Sequence, residues 1–153
     1  SAGDGDGAFS PERAGGVPNG ELVRLCYSGK YTEKEMIKQL VGKAGFNAYC
    51  GSNDARDIEA MAKNGDKHAQ LVFDAFLYQV SKDIGAQAAV LSGKVDQIIL
   101  TGGIAYGKYA TEEITKRVQF IAPVTVYGGE DELLALAQGA LRVLNGEEEA
   151  KVY

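Results

Sequence analysis

Histidine and cysteine, which build many catalytic and metal sites, are scarce in this sequence. Histidine occurs once, at His68, and cysteine twice, at Cys26 and Cys50. A lone histidine with no cysteine near it disfavours a Ser-His-Asp triad and a histidine-rich metal site, and we expect His68 on the surface. The cysteines have no CxxC neighbour, so we expect buried structural thiols in a protein of the reducing cytoplasm.

Positive charge and long apolar runs are also scarce. Sixteen Lys and Arg oppose 21 Asp and Glu, a net charge of −5. A general nucleic-acid binder needs a basic surface to neutralise phosphates, so this class is disfavoured. No apolar run approaches the roughly 20 residues that span a bilayer, and we expect neither a membrane segment nor a signal peptide. The overall composition is typical of one globular domain with a real core.

Glycine and proline punctuate residues 1–20, which therefore predict a loop. A loop of this length is expected to be functional. Its Gly-Asp alternation does not fit an EF-hand, because Ala8 and Phe9 occupy the fifth and sixth positions counted from Asp4. Arg13 lies between a proline and two glycines, where it could grip a phosphoryl group or simply be exposed to solvent.

Helical patterns follow this loop. The longest is expected to bury one stripe of apolar side chains at i, i+4 spacing, namely Leu71, Val72, Ala75, Phe76, Val80, Ile84, Ala88 and Leu91. The first predicted helix covers residues 21–27, with Asn19 as its cap, and the second runs from the capping box of Thr32 and Glu35 to Gly42. The third is capped by Asn53 or Asp54 and ends at Asn64, and the longest runs from about Asp66 to Ser92.

Strand and helix alternate in the last third of the chain, which predicts a parallel βαβ unit and the α/β class. The expected elements are a buried strand over 97–101, a helix capped by Thr111, a strand over 124–127 and a helix over 131–144.

Two glycines follow each predicted strand, Gly102 and Gly103 after the first and Gly128 and Gly129 after the second. Ligands of parallel sheets bind beyond the carboxyl ends of the strands, and missing side chains let a ligand lie against the backbone. Two tight turns are the alternative explanation. Residues 102–108 also fit G-x-x-x-x-G-K of a P-loop, but Tyr109 stands where Ser or Thr ligates Mg²⁺, so we disfavour that motif.

Taken together and in order, five segments resemble the butyrate kinase branch of the acetokinase family, within the superfamily of actin, sugar kinases and heat-shock ATPases. The resemblance covers almost the whole chain, and five collinear matches are more specific than any one of them. The segments are 7–13 (GAFSPER), 22–32 (LVRLCYSGKYT), 53–59 (NDARDIE), 98–105 (IILTGGIA) and 139–144 (GALRVL).

This resemblance implies an α/β fold made of an incomplete C-terminal lobe of an actin-like, ribonuclease H-like ATPase. Residues 1–20 would be an active-site loop and 21–153 the nucleotide-binding lobe, with the N-terminal lobe absent from this chain. The implied activity is reversible phosphoryl transfer from ATP, with Mg²⁺, to butyrate or a related short-chain carboxylate. The missing lobe is an expected partner, the full-length protein is expected to be a cytoplasmic homo-oligomer, and the 153 residues alone are expected to be inactive. A non-catalytic nucleotide-binding module of the same superfamily is the alternative.

The resemblance also implies roles for single residues. Arg13 matches the arginine that stabilises the transferring phosphoryl group. Asp131 and Glu132 lie in an acidic turn that matches the one holding Mg²⁺. Ala55 replaces an aromatic residue of acetate kinases, so stacking on the base must come from elsewhere. Nucleotide contacts are implied for Asn53, Asp54, Arg56, Gly102, Gly103, Ile104, Ala105, Tyr106 and Gly107, although Tyr106 and Gly107 stand where acetate kinases tend to have Glu and Asn.

Overall fold

The computed structural model of the protein describes residues 6–129 and 132–150. Five helices precede the first strand, and the remaining elements alternate. In chain order they are α1 (Asn19–Cys26), α2 (Glu33–Leu40), α3 (Gly45–Cys50), α4 (Ala55–Lys63), α5 (Lys67–Val90), β1 (Ile98–Gly102), α6 (Lys108–Val118), β2 (Val124–Gly128) and α7 (Glu132–Leu144), with a 3-10 turn at Gly103–Tyr106 between β1 and α6.

Side-chain caps start several of these helices where the sequence predicts them. The Thr32 hydroxyl accepts a bond from the backbone N–H of Glu35, whose carboxylate accepts from the backbone N–H of Thr32, so the capping box is formed. Asp54 caps α4 and Asp66 caps α5. The predicted cap at Thr111 is wrong, because α6 begins at Lys108 and the Thr111 hydroxyl bonds to carbonyls within the first turn.

Helix α1 begins at Asn19, after Pro18, and its first two residues belong to the segment predicted as loop. Asn19 is therefore the first helical residue and not the cap. The fixed φ of proline suits the entry to a helix, which accounts for the earlier start.

The longest helix, α5, is the main wall of the core, but its buried face is turned from the predicted stripe. Phe73 is 1% exposed and Leu77 fully buried, although the stripe omits both, whereas Leu71 is 66% exposed. At about 100° per residue, Leu71 points away from the face that holds Phe73 and Phe76. Leu91, the C-cap residue beyond the end of the helix, is 54% exposed.

The first described segment is seated on the core by an aromatic side chain. The ring centroid of Phe9 lies 5.8 Å from those of Phe46, Tyr49 and Phe76. The backbone N–H of Phe9 also donates to the Gln79 side chain of α5 at 3.2 Å. Residues 6–18, the described part of the predicted loop before α1, are therefore an irregular segment that is anchored to α3 and α5.

Strands β1 and β2 pair in parallel, with Ile98 opposite Val124 and Gly102 opposite Gly128, and α6 connects them. The predicted βαβ unit and the α/β class are confirmed. The expectation of a fully buried first strand is wrong, since Ile98 is buried but Ile99 is 59% exposed. Ile98 and Leu100 point into the core that α5 and α6 help to form, whereas Ile99 points to the other face of the pair.

The single histidine and the two cysteines differ in their exposure to solvent. His68 is exposed, as predicted, and its Nε2 lies 3.0 Å from the carbonyl oxygen of Tyr49. Cys26 is exposed, so the expectation of two buried thiols is wrong. Cys50 is half-buried, and burial, together with the charge of Asp66, raises the pKa of its thiol. Within the described ranges, none of the helices is apolar and long enough to span a bilayer.

A polar triangle joins α5 to α6. The Tyr109 hydroxyl donates to Asp74 Oδ1 at 2.7 Å, and the amide of Gln70 donates to both Asp74, at 2.9 Å, and the Tyr109 oxygen, at 3.0 Å. The Tyr109 ring also stacks on Phe73, with centroids 6.2 Å apart. The hydrogen bond to Asp74 and burial raise the pKa of Tyr109 to about 12.

Tyr109→Phe is expected to destabilise the protein by about 1–3 kcal/mol near neutral pH, because it removes a hydrogen bond to a carboxylate. The raised pKa means that the folded state favours the neutral phenol. The stabilisation by this phenol is therefore fully present below the ordinary tyrosine pKa of 10 and is lost as the pH rises toward 12. Urea unfolding of variant and parent at several pH values measures the difference, which should narrow across that window. Tyr27→Phe, at an 89% exposed position, is the control and should change little.

Candidate nucleotide-binding site

A cleft of about 760 Å³ opens between the start of α4 and the turn that follows β1. Its volume lies in the range of small-molecule sites. It brings together two segments that are far apart in the sequence and that were both predicted to contact a nucleotide. The described lining residues are Pro11, Asn53, Asp54, Ala55, Arg56, Thr101, Gly102, Gly103, Ile104 and Tyr106.

One wall of the cleft is a charged pair at the start of α4. Asp54 Oδ1 accepts bonds from the backbone N–H and from Nε of Arg56, both at 2.9 Å. Hydrogen bonds from the Arg56 side chain and backbone lower the pKa of Asp54 to about 2, so the carboxylate is ionised at neutral pH. The Arg56 side chain remains 85% exposed. This wall offers a fixed anionic acceptor beside a guanidinium.

The opposite wall includes two residues without side chains, Gly102 and Gly103. Gly102 has φ 87° and ψ −179°, a conformation that is essentially restricted to glycine. A Cβ at Gly102 would meet no protein atom within 4 Å, so the backbone there borders open space. The 3-10 turn from Gly103 follows and leads into α6. This geometry lets a flat ligand approach the chain closely.

Two of the nine predicted nucleotide contacts, Ala105 and Gly107, are not among the lining residues. Ala105 borders a smaller apolar cavity of about 170 Å³ behind the turn, with Phe76 and Ile114. Gly107 is the N-cap of α6, and a Cβ there would lie 3.1 Å from Oε2 of Glu59 on α4. Seven of the nine line the cleft.

The second pair of glycines has a different neighbour from the one predicted. A Cβ on Gly128 would lie 3.1 Å from Cδ1 of Tyr106, and one on Gly129 would lie 3.1 Å from its hydroxyl oxygen. The Tyr106 ring thus occupies the space that was expected to admit a ligand. The first glycine turn lines the cleft and the second lies against the Tyr106 ring, and contact of either turn with a ligand stays a prediction.

Arg13 lies beside the cleft and is not among its lining residues. Its backbone is held at Ser10, whose hydroxyl accepts from the Arg13 N–H at 3.2 Å and whose N–H donates to the Arg13 carbonyl at 3.1 Å. Its neighbour Glu12 accepts a long bond of 3.4 Å from the Asn53 amide. Arg13 is exposed, and its fixed backbone lies two residues from Pro11, which lines the cleft.

The predicted magnesium ligands, Asp131 and Glu132, cannot be compared with the structure. Asp131 is outside the described residues, and so is the side chain of Glu132. Within the ranges that are described, no group of three or more His, Cys, Asp or Glu is placed to hold a metal ion. The magnesium assignment stays a prediction.

The P-loop alternative does not fit this geometry. The hydroxyl of Tyr109, at the position that should ligate Mg²⁺, faces Asp74 on α5. The Nζ atom of Lys108 lies 3.7 Å from Oε1 of Glu112, and Lys108 is not among the residues that line the cleft.

Three lining residues, Pro11, Ala55 and Thr101, were not among the predicted contacts. Thr101 is the last side chain before the glycines of β1, so its place at the ligand edge follows from the strand rule. Ala55 lies between two predicted contacts. Pro11 belongs to the loop that was expected to serve the active site, but its own place in the cleft depends on where the loop is seated.

Comparison with known proteins gives a consistent result. The sequence model of the acetokinase family matches residues 6–149. Butyrate kinase 2 of Clostridium acetobutylicum is 63% identical over 150 residues, and butyrate kinase 1 of the same organism is 57% identical over 150 residues. Each alignment covers 98% of this chain and 42% of the relative. The chain therefore spans about two fifths of the length of these relatives.

Solved structures share the fold at lower identity. The acetate kinase of Porphyromonas gingivalis superposes with a TM-score of 0.79 at 24% identity, covering 91% of this chain and 41% of that one. The acetate kinase of Entamoeba histolytica has a TM-score of 0.75 at 19% identity, with coverage of 88% and 43%. The arrangement of helices around the β1–β2 pair is thus a fold that this chain shares with part of these two structures.

Proposed function

This chain belongs to the acetokinase family, and on that premise we propose that it supplies the nucleotide-binding side of an ATP-dependent carboxylate kinase. In the proposed reaction a carboxylate oxygen of butyrate, or of a related short-chain acid, bonds to the γ-phosphorus of ATP. The bond from that phosphorus to the β–γ bridging oxygen breaks, giving ADP and an acyl phosphate, and the reverse reaction makes ATP. The observation that carries the proposal is the cleft that residues 53–56 share with residues 101–104 and Tyr106.

The cleft has the chemistry that an adenosine group needs. The ionised Asp54 is an acceptor for ribose hydroxyls, and Arg56 beside it holds the carboxylate in place. Across the cleft, the backbone of Gly102 and Gly103, with Ile104, offers a surface against which the nucleoside can lie. We assign Ala105 and Gly107 to the support of that surface.

We assign the phosphate end of the nucleotide to Arg13, Asp131 and Glu132. Arg13, on its fixed loop, would stabilise the charge of the transferring phosphoryl group. Asp131 and Glu132 would hold Mg²⁺, whose ligands are oxygens, most often from carboxylates and phosphates. The metal held there would supply positive charge that offsets the charge of the phosphates. Arg13 is the only Lys or Arg within residues 1–20 of the sequence.

Further partners follow from the length of the relatives. Because the chain spans 42% of the butyrate kinases, we propose that the acid-binding groups and remaining phosphate contacts come from the sequence those relatives have in addition. We also propose that the complete protein is a homo-oligomer. A cytoplasmic location is supported by the two free thiols, of which Cys26 is exposed.

The proposal is tested by measuring acyl phosphate formation, trapped as the hydroxamate, from ATP, Mg²⁺ and butyrate. The complete protein that carries these residues is expected to form butyryl phosphate, and the isolated 153 residues are expected to form none. Nucleotide binding by the complete protein, without turnover of any short-chain acid, would instead identify a non-catalytic module. Turnover by the isolated 153 residues would contradict the division of the active site proposed here.

A further inference from the structure

Tyr106 is the one aromatic side chain among the described residues that line the cleft. The base of a nucleotide binds most strongly to an aromatic face, on which it can stack. Ala55, on the opposite wall, offers only a methyl group. A site for adenosine at this cleft therefore has one candidate for a stacking surface within the described chain.

The backbone of the second glycine turn fixes the position of the Tyr106 ring. The Cδ1 and Cε1 atoms of the ring would lie 3.1 and 3.4 Å from a Cβ on Gly128. Gly128 is not among the residues with positive φ, so its backbone conformation would accept any residue. The absence of a side chain at Gly128 is therefore explained by the approach of the ring. Gly129, under the hydroxyl, extends the same bare surface.

The rest of the ring is available to a ligand. Tyr106 remains 69% exposed although one side of it rests on the glycine turn. An aromatic ring stabilises a fold mainly through its burial, so a ring that is mostly exposed contributes little to the stability of the protein. Stability therefore does not explain why the Tyr106 ring is held in a fixed position. An aromatic side chain that is positioned but exposed, at the border of a cleft, is typical of a binding surface.

We propose that Tyr106 is the stacking platform for the purine base of the nucleotide, and that Gly128 and Gly129 position its ring. This inference rests on the proposed function and adds to it the residue that recognises the base. A purine presents two fused rings to the phenol and a pyrimidine only one. The site is therefore expected to favour purine nucleotides through contact area as well as through polar contacts.

Tyr106→Ala in the complete protein is expected to weaken ADP binding by about 5- to 150-fold, as expected for loss of one base–aromatic stack. Calorimetric titration with ADP measures this, and a parallel titration with inorganic tripolyphosphate, which has phosphates but no base, measures what is left. Tyr106→Phe retains the ring and should bind ADP like the parent. Binding of tripolyphosphate should be the same in all three proteins.

Gly128→Ala is an independent variant that keeps the tyrosine and moves it. Its backbone is unstrained, and the new Cβ must displace the ring by a few tenths of an ångström, so ADP binding should weaken while tripolyphosphate binding does not. Gly20→Ala, where a Cβ would meet nothing within 4 Å, is the control.

Unchanged ADP binding by Tyr106→Ala would overturn the inference, and so would an equal loss for ADP and tripolyphosphate, which would indicate a structural role. These outcomes are separate from failure of the proposed function. A parent protein that binds ADP through Tyr106 but forms no acyl phosphate would overturn the kinase proposal alone.

Discussion

In the complete protein, Arg13→Ala is expected to lower kcat for acyl phosphate formation by about a thousandfold, while ADP binding changes little. The expected loss follows from the charge that spreads over the phosphoryl oxygens during transfer, for which an arginine contributes about 10³–10⁵ in rate. Stability should be unaffected, because the Arg13 side chain is exposed and the loop is held by its backbone. Steady-state kinetics with butyrate and ATP, together with ADP titration, separate the two effects.

Arg13→Lys keeps the charge but loses the planar fork that matches phosphate oxygens, so its kcat should lie between those of Arg13→Ala and the parent. Arg24→Ala is the matched control, because Arg24 is an exposed arginine of α1 that pairs with Glu21 at the surface. It should retain the parent kcat. A kcat of Arg13→Ala within about tenfold of the parent would remove Arg13 from the phosphoryl site, since a tenfold change is only about 1.4 kcal/mol.

Gly45→Ala is expected to destabilise the protein by about 3–5 kcal/mol, since it combines backbone strain with an unavoidable clash. Gly45 has φ 59°, and a Cβ there would lie 1.7 Å from the carbonyl oxygen of Ser10 and 3.0 Å from that of Arg13. The same Ser10 oxygen accepts the backbone N–H of Phe46 at 3.2 Å. The substitution would therefore lift the first loop from α3. Urea unfolding measures the loss.

Gly51→Ala separates the two causes. Gly51 has φ 76°, but a Cβ there would meet nothing within 4 Å, so only the strain of about 1–2 kcal/mol should remain. Kinase activity should follow the same order, because Gly45→Ala also displaces Arg13. Equal losses of stability for the two variants would show that the contact between Gly45 and Ser10 contributes nothing to the seating of the loop.

Local rules in the sequence were enough for most of the framework. The capping box at Thr32, the cap at Asp54, the helix from Asp66 and the parallel pair of strands depend on interactions within a turn or between repeating backbone groups. The two segments of the cleft were found as motifs for the same reason, since each is a short run with its own backbone requirement. The acidic turn at Asp131 was also predicted, and it stays a prediction.

Contacts between distant segments were outside the reach of these rules. Which side of α5 is buried depends on the helices that pack on it, so Leu71 was assigned to the wrong face. The place of Pro11 in the cleft depends on a loop that closes on Gly45 across more than thirty residues.

Gly128 shows the same limit in its simplest form. A glycine pair after a strand predicts close approach, but the sequence does not say what approaches, and the structure places the Tyr106 ring there. The need for a position without a side chain is local, and the choice of glycine shows it. The identity of the neighbour is set by packing between elements, which depends on the shapes and positions of all of them at once.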